Sequence, residues 1–348
     1  MSTVTSHSEQ LLFAGGEWLA PRSTARIEVE NPYSRSIVGV AADGDAGDVD
    51  VAVRAAREAF DHGPWPRMSP DERATMLERL ADELERRGAD ISDLVTDEIG
   101  QPTGMSRYVN GVMPAGQYRF FAGLIRTFPF EEERPNVAGP GTSLVRLEPL
   151  GVAGLIVPWN YPQSLLSAKL APALAVGCTV VIKPAAETPL DALALAAAVE
   201  AVGFPPGVVN VVTGGRETGD ALVKHPGVDK IAFTGSTAAG RIIARNCGER
   251  LIPVTLELGG KSAAIVLDDA DLTSTMEGLR FTALMNSGQA CVAQTRILAS
   301  RSNYCFGFFI NHNIKPVVYL VETTLNFDDL IPTGQQRIKW FFSCSFQF

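Results

Sequence analysis

The sequence predicts an α/β fold centred on a doubly wound parallel sheet, and three observations lead to it. After Gly151 the chain alternates between short apolar runs and Ala-rich stretches that are long enough for helices. The apolar runs do not alternate with polar residues, which is typical of strands buried on both faces of a parallel sheet. Pro or Gly residues follow them, as at Lys183-Pro184 and Thr234-Gly235. The predicted strands are 152–157, 179–182, 208–211 and 231–233.

Before this sheet, the chain is predicted to form a small hairpin, a strand and several helices. Phe13 to Leu19 contains a Gly pair suited to a tight turn, and residues 36–41 form an extended run. Asp48 is expected to cap a helix, Ser69-Pro70 is a signature of a helix start, and Gly88 is an expected helix end. The predicted helices cover 48–60, 70–88, 90–98 and about 111–124.

Residues 129–148 differ from the segments on either side. They begin with a Pro- and Gly-rich stretch and continue as an extended run, Thr142 to Glu148. This pattern indicates a hairpin that leaves the body of the domain, and exposed hairpins of this kind commonly form contacts between subunits.

Charge and composition argue against several classes of partner. The net charge of −9 disfavours a nucleic-acid partner, because phosphate-binding surfaces need a surplus of Lys and Arg. No apolar run is long enough to span a bilayer, so we expect no membrane partner. The five cysteines lack metal-ligand spacing, and the four histidines are isolated in sequence. We therefore expect no metal site, no disulfide framework and a reducing, cytoplasmic location.

Two glycine-bearing segments carry the residues best suited to covalent chemistry. Glu257 precedes Gly259-Gly260, and Cys291 ends the run that begins at Ser287-Gly288. Glycine lets the backbone approach a ligand closely, a thiol is a nucleophile, and a carboxylate can act as its base. Each residue alone fits a plainer interpretation, because free cysteines are usually buried and glutamates are usually solvated.

Three further segments follow predicted strands, at the edge where open α/β sheets bind their ligands. Asn160 lies between Trp159 and a turn proline, where its amide can donate to an oxyanion. Lys183 can bond ribose hydroxyls, and Phe233-Thr234-Gly235-Ser236 leads into a helix whose N-terminus suits a pyrophosphate. Taken singly, each segment also fits an ordinary turn or a solvated side chain.

Together these segments resemble the NAD(P)-dependent aldehyde dehydrogenase superfamily. The resemblance covers about 11–301 and rests on several motifs in one order and spacing. These motifs are Pro158-Trp159-Asn160, Lys183-Pro184, Phe233-Thr234-Gly235-Ser236, Glu257-Leu258-Gly259-Gly260-Lys261 and Gly288-Gln289-Ala290-Cys291.

The resemblance implies a mechanism and assigns its residues. Cys291 would attack the aldehyde carbon, and Asn160 together with the Cys291 amide would stabilise the thiohemiacetal oxyanion. Hydride would pass to the nicotinamide and leave a thioester, and Glu257 would activate the water that hydrolyses it. Dipoles at a helix end, or Glu257, would help the thiol to lose its proton.

The resemblance also implies which residues bind an NAD cofactor, with NADP possible. Lys183 would bond the adenosine ribose, Gly235 and Ser236 would face the pyrophosphate, and Trp159 would flank the cofactor. The other cofactor residues would be Pro158, Glu187, Gly215, Phe233, Thr234, Leu258 and Gly259.

The resemblance divides the chain into four parts. Residues 1–128 and 149–258 would form the cofactor domain, 129–148 a bridging arm, 259–301 the start of a truncated α/β catalytic domain, and 302–348 a divergent tail. In this family the arm pairs with the C-terminal strand of a neighbouring subunit. A homo-oligomer is therefore implied, and the loss of that strand would weaken it.

Two departures from the family pattern affect these expectations. The acid that often follows the lysine by three positions is replaced by Ala186, and a carboxylate comes one step later at Glu187. We therefore favour NAD and leave NADP open. Beyond Arg301-Ser302 no alanine appears and phenylalanines crowd the chain. We expect a frameshift, an insertion or a rearranged coding region there, in preference to a diverged functional tail.

Three functions stay open. The favoured one is oxidation of an aldehyde to its carboxylic acid, impaired by the altered C-terminal segment. The alternatives are an inactive NAD-binding fragment and a thiol esterase that uses Cys291 without a cofactor. Val292 and Tyr161 are expected to line the substrate tunnel, and Ala168 to widen it. This lining favours uncharged aliphatic or aromatic aldehydes.

Overall fold

The computed structural model describes residues 10–299. The chain divides into two units, Met1–Leu258 and Gly259–Phe348. The first unit contains a seven-stranded sheet, two small antiparallel sheets and most of the helices, and the second contains a pair of parallel strands.

The central sheet of the first unit confirms the predicted parallel architecture. Its strand order is β11-β10-β7-β8-β9-β1-β2, in which β7 to β11 run parallel and the hairpin β1–β2 joins the edge antiparallel. The strands are β1 (Leu12–Ala14), β2 (Glu17–Leu19), β7 (Val152–Ile156), β8 (Thr179–Lys183), β9 (Val209–Val211), β10 (Lys230–Gly235) and β11 (Val254–Leu258).

Helices cover both faces of this sheet. They are α1 (Ala46–Asp61), α2 (Pro70–Ile99), α3 (Thr103–Ser106), α4 (Met113–Ile125), α5 (Pro162–Ala175), α6 (Pro189–Val202), α7 (Arg216–Lys224) and α8 (Thr237–Arg250). Helices α2, α4, α5 and α6 share one buried apolar cluster with the strands, whereas α1, α7 and α8 share another. Two separate clusters, one against each face, are what a doubly wound sheet requires.

The prediction that Asp48 caps the first helix is wrong by one turn. Asp45 is the N-cap, and its carboxylate accepts from the backbone N–H groups of Gly47 at 2.7 Å and Asp48 at 3.0 Å. The Asp48 carboxylate accepts in return from the Asp45 N–H at 2.9 Å. Two acids three residues apart can each serve as a cap, and only the pair together forms the capping box.

The predicted helix end at Gly88 is also wrong. Helix α2 begins at Pro70 behind a Ser69–Glu72 capping box, as predicted, but it continues through Gly88 to Ile99 and absorbs the helix expected over 90–98. A Cβ on Gly88 would lie 2.4 Å from the carbonyl oxygen of Gly111. This glycine permits a close approach of two backbones and does not terminate the helix.

Two antiparallel pairs complete the first unit. Strands β3 (Arg26–Glu30) and β4 (Ile37–Ala42) form one pair, of which only the second strand was predicted. Strands β5 (Glu131–Pro135) and β6 (Thr142–Arg146) form the other pair, so the hairpin expected in the arm is confirmed. Every residue of β5 is exposed.

The second unit is described from Gly259 to Ala299. Strands β12 (Ala263–Val266) and β13 (Arg296–Ala299) pair in parallel and flank α9 (Leu272–Leu284). Val266, Leu279 and Ile297 form its small buried core. Among residues 10–299, no helix has the length and apolar character needed to cross a membrane.

Candidate active site

Most of the predicted site residues lie at the carboxyl edge of the parallel sheet in the first unit. Strand pairing aligns Ile156 with Lys183 and with Phe233. Thr234 pairs with Glu257 on the edge strand β11. Since neighbouring strands lie about 4.8 Å apart, the segments that leave these strand ends are close neighbours.

The loop after β7 carries Asn160 and is held by hydrogen bonds at Asn160 and just after the loop. Trp159 is 36% exposed at the sheet edge. The buried Gln101 side chain donates from Nε2 to the Asn160 carbonyl oxygen at 3.1 Å. Just beyond the loop, Gln163 Nε2 donates to the Asp191 carbonyl and carboxylate oxygens, each at 2.7 Å. The path of the loop is therefore fixed by two buried amides.

Lys183 ends β8 with its side chain buried. Its Nζ donates to the carbonyl oxygen of Gly214 at 2.8 Å, in the turn that leads to Gly215 and α7. Burial lowers the pKa of Lys183 to about 8, while the charges of Glu187 and Asp43 oppose this change. Glu187 is exposed on the turn that follows β8, so its carboxylate faces both solvent and the Lys183 side chain.

Phe233 to Ser236 form the end of β10 and the start of α8. Ser236 is the N-cap, and its hydroxyl accepts from the Ala239 N–H at 3.2 Å. A Cβ on Gly235 would lie 2.5 Å from the Phe233 ring, so only glycine fits this turn without a shift. The residues around the helix start are exposed. An open helix N-terminus behind a close turn is a suitable anion site.

Thr234 has an unusual polar atom at this edge. The residue is 8% exposed, and its Oγ1 has no hydrogen-bond partner among the residues that the structure describes. A buried hydroxyl normally has such a partner. Thr234 Oγ1 is therefore an unsatisfied polar atom at the edge of the sheet.

Glu257 lies near the end of β11 and is partly buried. Its neighbour in the structure is Lys169, which the sequence analysis did not select. Burial lowers the pKa of Lys169 to about 8, and the negative charge of Glu257 acts in the opposite direction. Lys169 is the only charged residue in α5, and this isolation was the available signal for a functional role.

Cys291 and Gly259 belong to the second unit, and both are exposed. Before Cys291, the backbone takes left-handed conformations at Asn286 (φ 53), Ser287 (φ 54) and Gly288 (φ 79). Non-glycine residues rarely adopt these angles, and such strain often accompanies a functional site. Cys291 lies in a turn, and within residues 10–299 no helix begins or ends at this residue.

With this geometry in place, comparison with known proteins decides the family. The model described as "Aldehyde dehydrogenase family" matches residues 18–308. The chain belongs to the aldehyde dehydrogenase family. The resemblance inferred from the motifs over about 11–301 is thereby confirmed.

Several members of the aldehyde dehydrogenase family are similar to this chain. Geranial dehydrogenase from Castellaniella defragrans is 47% identical over 295 residues, which are 85% of this chain and 62% of that protein. An aldehyde dehydrogenase from Mycobacterium tuberculosis, solved with NAD+, matches with a TM-score of 0.84 and 45% identity, over 87% of this chain and 62% of the other.

A third similar structure was solved with both a cofactor and an aldehyde. It is a cysteine-to-alanine mutant of aldehyde dehydrogenase C from Pseudomonas syringae, in complex with NAD+ and octanal. The match has a TM-score of 0.83 and 37% identity, and it covers 88% of this chain and 61% of the other. The chain spans between 59% and 62% of the length of the curated relatives it matches.

Proposed function

We propose that this aldehyde dehydrogenase family member oxidises an aldehyde to a carboxylic acid with NAD+, through a thioester on Cys291. The proposal rests on one observation above all. An amide-bearing loop, an open helix N-terminus and a carboxylate leave three neighbouring strands at one sheet edge, where they offer Asn160, Ser236 and Glu257. For the nucleophile we propose Cys291, whose thiol is exposed.

The cofactor residues fit a dinucleotide. The N-terminal N–H groups of α8 suit the pyrophosphate, and the turn at Gly235 lets it approach closely. The Thr234 hydroxyl, which has no hydrogen-bond partner among the described residues, would bond a polar group of the ligand. When bound, NAD+ supplies the acceptor for the hydride. The remaining proposed contacts are Pro158, Trp159, Gly215, Phe233, Leu258 and Gly259.

Lys183 and Glu187 are proposed to bind the adenosine ribose. The Lys183 ammonium donates to a hydroxyl, and the Glu187 carboxylate accepts from one. The charge of Glu187 acts on Lys183, which supports a carboxylate near the ribose despite the one-residue shift from the family pattern. Since this carboxylate would repel a 2′-phosphate, we favour NAD+ over NADP+.

In the proposed reaction, the Cys291 thiolate forms a C–S bond with the aldehyde carbon. The carbonyl oxygen becomes an oxyanion, to which the Asn160 side-chain NH2 and the Cys291 backbone N–H donate. Collapse of the oxyanion expels hydride and leaves a thioester on Cys291. Glu257 then takes a proton from the water molecule that attacks the thioester carbon, and departure of the acid restores the thiolate.

For the substrate we propose an uncharged aliphatic or aromatic aldehyde. The partly buried Tyr161 beside Asn160, and the small Ala168 seven residues further on, would leave an apolar and roomy path. The names of two similar proteins mention apolar aldehydes, geranial and octanal. Val292 is proposed to contribute from the side of the nucleophile.

Assembly, domain roles and location follow as proposals from the same assignment. Residues up to 128 together with 149–258 would bind the cofactor, and 259–301 would begin the catalytic domain. The exposed hairpin at 129–148 would pair with another copy of the chain. Residues 302–348, for which we predicted a divergent tail, lie outside the described residues. A cytoplasmic location fits a mechanism that needs Cys291 as a reduced thiol.

The proposal is tested by incubating the chain with NAD+ and octanal or geranial while following the absorbance of NADH. We expect NADH formation, and its loss in Cys291→Ala. Binding of NAD+ without any NADH would favour the inactive fragment instead. Hydrolysis of an activated ester without NAD+, with no aldehyde oxidation, would favour the thiol esterase.

A further inference from the structure

We propose that Gln101 is a positioning residue for the oxyanion donor Asn160, with Asn110 and Ser106 fixing the orientation of its amide. The inference rests on the proposed function of Asn160. Gln101 does not touch the reacting atoms and acts through the backbone of the catalytic loop. The observation behind it is a continuous hydrogen-bond network, buried except at its partly buried last bond, that ends on the Asn160 carbonyl oxygen.

The last hydrogen bond of this network joins two distant parts of the sequence. Gln101 lies just after Gly100, whose left-handed backbone ends α2. Its side chain is only 2% exposed, and Nε2 donates to the Asn160 carbonyl oxygen at 3.1 Å. A fixed carbonyl fixes the peptide plane of Asn160. The direction in which its side chain leaves the backbone is thereby restricted.

The other hydrogen bonds of the network determine which end of the Gln101 side-chain amide faces Asn160. The Ser92 carbonyl can only accept, so the Ser106 hydroxyl must donate to it, at 2.7 Å. The Ser106 oxygen then accepts from Asn110 Nδ2 at 3.1 Å. The second hydrogen of Nδ2 goes to Gln101 Oε1 at 2.5 Å. With Oε1 occupied as an acceptor, the donor end of Gln101 must face Asn160.

A π-helix, which is a local irregularity of the fold, makes this hydrogen-bond network possible. Asn110 belongs to the π-helix Arg107–Val112, which precedes α4. There the backbones of Gly88 and Gly111 approach so closely that a Cβ on Gly111 would lie 2.8 Å from the Gly88 carbonyl oxygen. This approach brings the π-helix against α2, and Asn110 is 2% exposed between them. π-helical turns are rare and frequently occur near functional sites.

The decisive variant is Gln101→Glu. It preserves the shape of the side chain and still accepts from Asn110, but a carboxylate cannot donate to the Asn160 carbonyl and repels it. Removal of a whole oxyanion donor lowers rates by about 10²–10³-fold. Since misalignment loses only part of this effect, we expect kcat to fall by roughly tenfold while KM for the aldehyde stays nearly constant.

The matched control is Thr96→Val. Thr96 Oγ1 donates to the same Ser92 carbonyl at 3.0 Å and lies one turn from Gln101, but it does not lead to Asn160. We expect wild-type kcat for this control. Gln101→Lys combined with Asn110→Asp restores a donor toward Asn160 and an acceptor beside it, and should recover much of the lost kcat. Gln101→Met also removes the donor but buries no charge. It therefore shows whether an effect of Gln101→Glu comes from the lost hydrogen bond or from a folding defect caused by the buried carboxylate.

A second readout does not depend on catalysis. Amide hydrogen exchange of Trp159, Asn160 and Tyr161 should be faster in Gln101→Glu and Gln101→Met than in wild type or Thr96→Val. Equal exchange of these amides in all four proteins, together with equal kcat, would overturn the proposal. If the wild-type chain forms no NADH, the proposed function fails, and the exchange comparison still decides whether Gln101 positions this loop.

Discussion

Lys169 lies near enough to Glu257 within the first unit for the charge of the carboxylate to raise its pKa, and it belongs to a helix that otherwise contains no charged residue. Burial holds the pKa of Lys169 at about 8, so this amine can change its charge in the range in which enzymes are usually assayed. In the proposed reaction Glu257 takes a proton from water and must pass it on before the next turnover. Lys169 is the neighbour that can receive it.

We expect thioester hydrolysis to accelerate as the pH rises through about 8, because the neutral Lys169 amine can accept the proton that Glu257 draws from water. Lys169→Met should remove this rise while retaining the first burst of NADH. Single-turnover hydrolysis between pH 6.5 and 9.5, a range of about three units centred on this pKa, measures the effect. Lys224→Met, at an exposed ion pair, is the control. An unchanged pH profile in Lys169→Met would rule out this role.

Glu257→Gln should separate the two halves of the reaction. The glutamine keeps the shape but cannot take a proton from water, so the NADH burst should persist while steady-state turnover falls by about 10²–10⁴-fold. Rapid mixing with aldehyde and excess NAD+ measures both rates. The exposed Glu249→Gln serves as control. If burst and steady-state rates are both normal in Glu257→Gln, another group is the base.

Glu187→Gln should weaken discrimination against NADP+. A hydrogen bond to a charged group contributes about 1.5–3 kcal/mol, so we expect NAD+ to bind roughly tenfold more weakly. NADP+ should bind more tightly, because the repulsion of its 2′-phosphate is removed. Titration of both cofactors, followed by the intrinsic tryptophan fluorescence of the protein, provides the measurement. Parallel changes for the two cofactors would show that Glu187 does not face the ribose.

Two buried carboxyl groups should make the stability of the fold depend on pH. Burial raises the pKa of Asp191 to about 7, and burial together with the charge of Asp191 raises that of Glu98 well above its usual range. Unfolded carboxyls lose their protons near pH 4, whereas these retain them in the folded state. The folded state therefore binds more protons in this interval, and the free energy of unfolding should fall as the pH rises from about 4 to about 7.

Asp191→Asn should flatten this dependence. The amide oxygen can still accept from Gln163, and a neutral side chain has no charge to bury at high pH. Urea unfolding at several pH values should show a smaller loss of stability in the variant than in wild type, with Asp220→Asn as the exposed control. Parallel curves for wild type and Asp191→Asn would contradict the assignment.

The parts of the fold that the sequence predicted are those in which local pattern and burial agree. Strands β7 and β8 are buried along their whole length and appear as unbroken apolar runs. Strand β11 is an edge strand with every residue partly exposed, and its Thr255 and Glu257 interrupt the apolar pattern, so it was not recognised. Gly88 was misread because a glycine needed for close packing looks the same in sequence as a glycine that ends a helix.

The candidate site was predictable to the extent that its residues lie in motifs. Asn160 and Lys183 follow predicted strands that meet at one edge, so their neighbourhood in the first unit could be expected. Glu257 lies in the unrecognised strand β11, and its place beside them became visible only in the structure. The roles proposed for Lys169 and Gln101 depend on which helices pack beside those strands. Contacts between residues 59 positions apart leave no local trace in the sequence. The left-handed backbone before Cys291 was also not predictable, because it includes Asn286 and Ser287 as well as a glycine.

The central claim is that Cys291 carries the acyl group during aldehyde oxidation, and intact mass spectrometry of Glu257→Gln tests it most directly. After mixing with octanal and NAD+, we predict a mass increase equal to one octanoyl group, located by digestion on the peptide that contains Cys291. The increase should need NAD+ and disappear when Cys291→Ala is added to the variant. An octanoyl group on another residue, or no acylation while NADH is formed, would contradict the account.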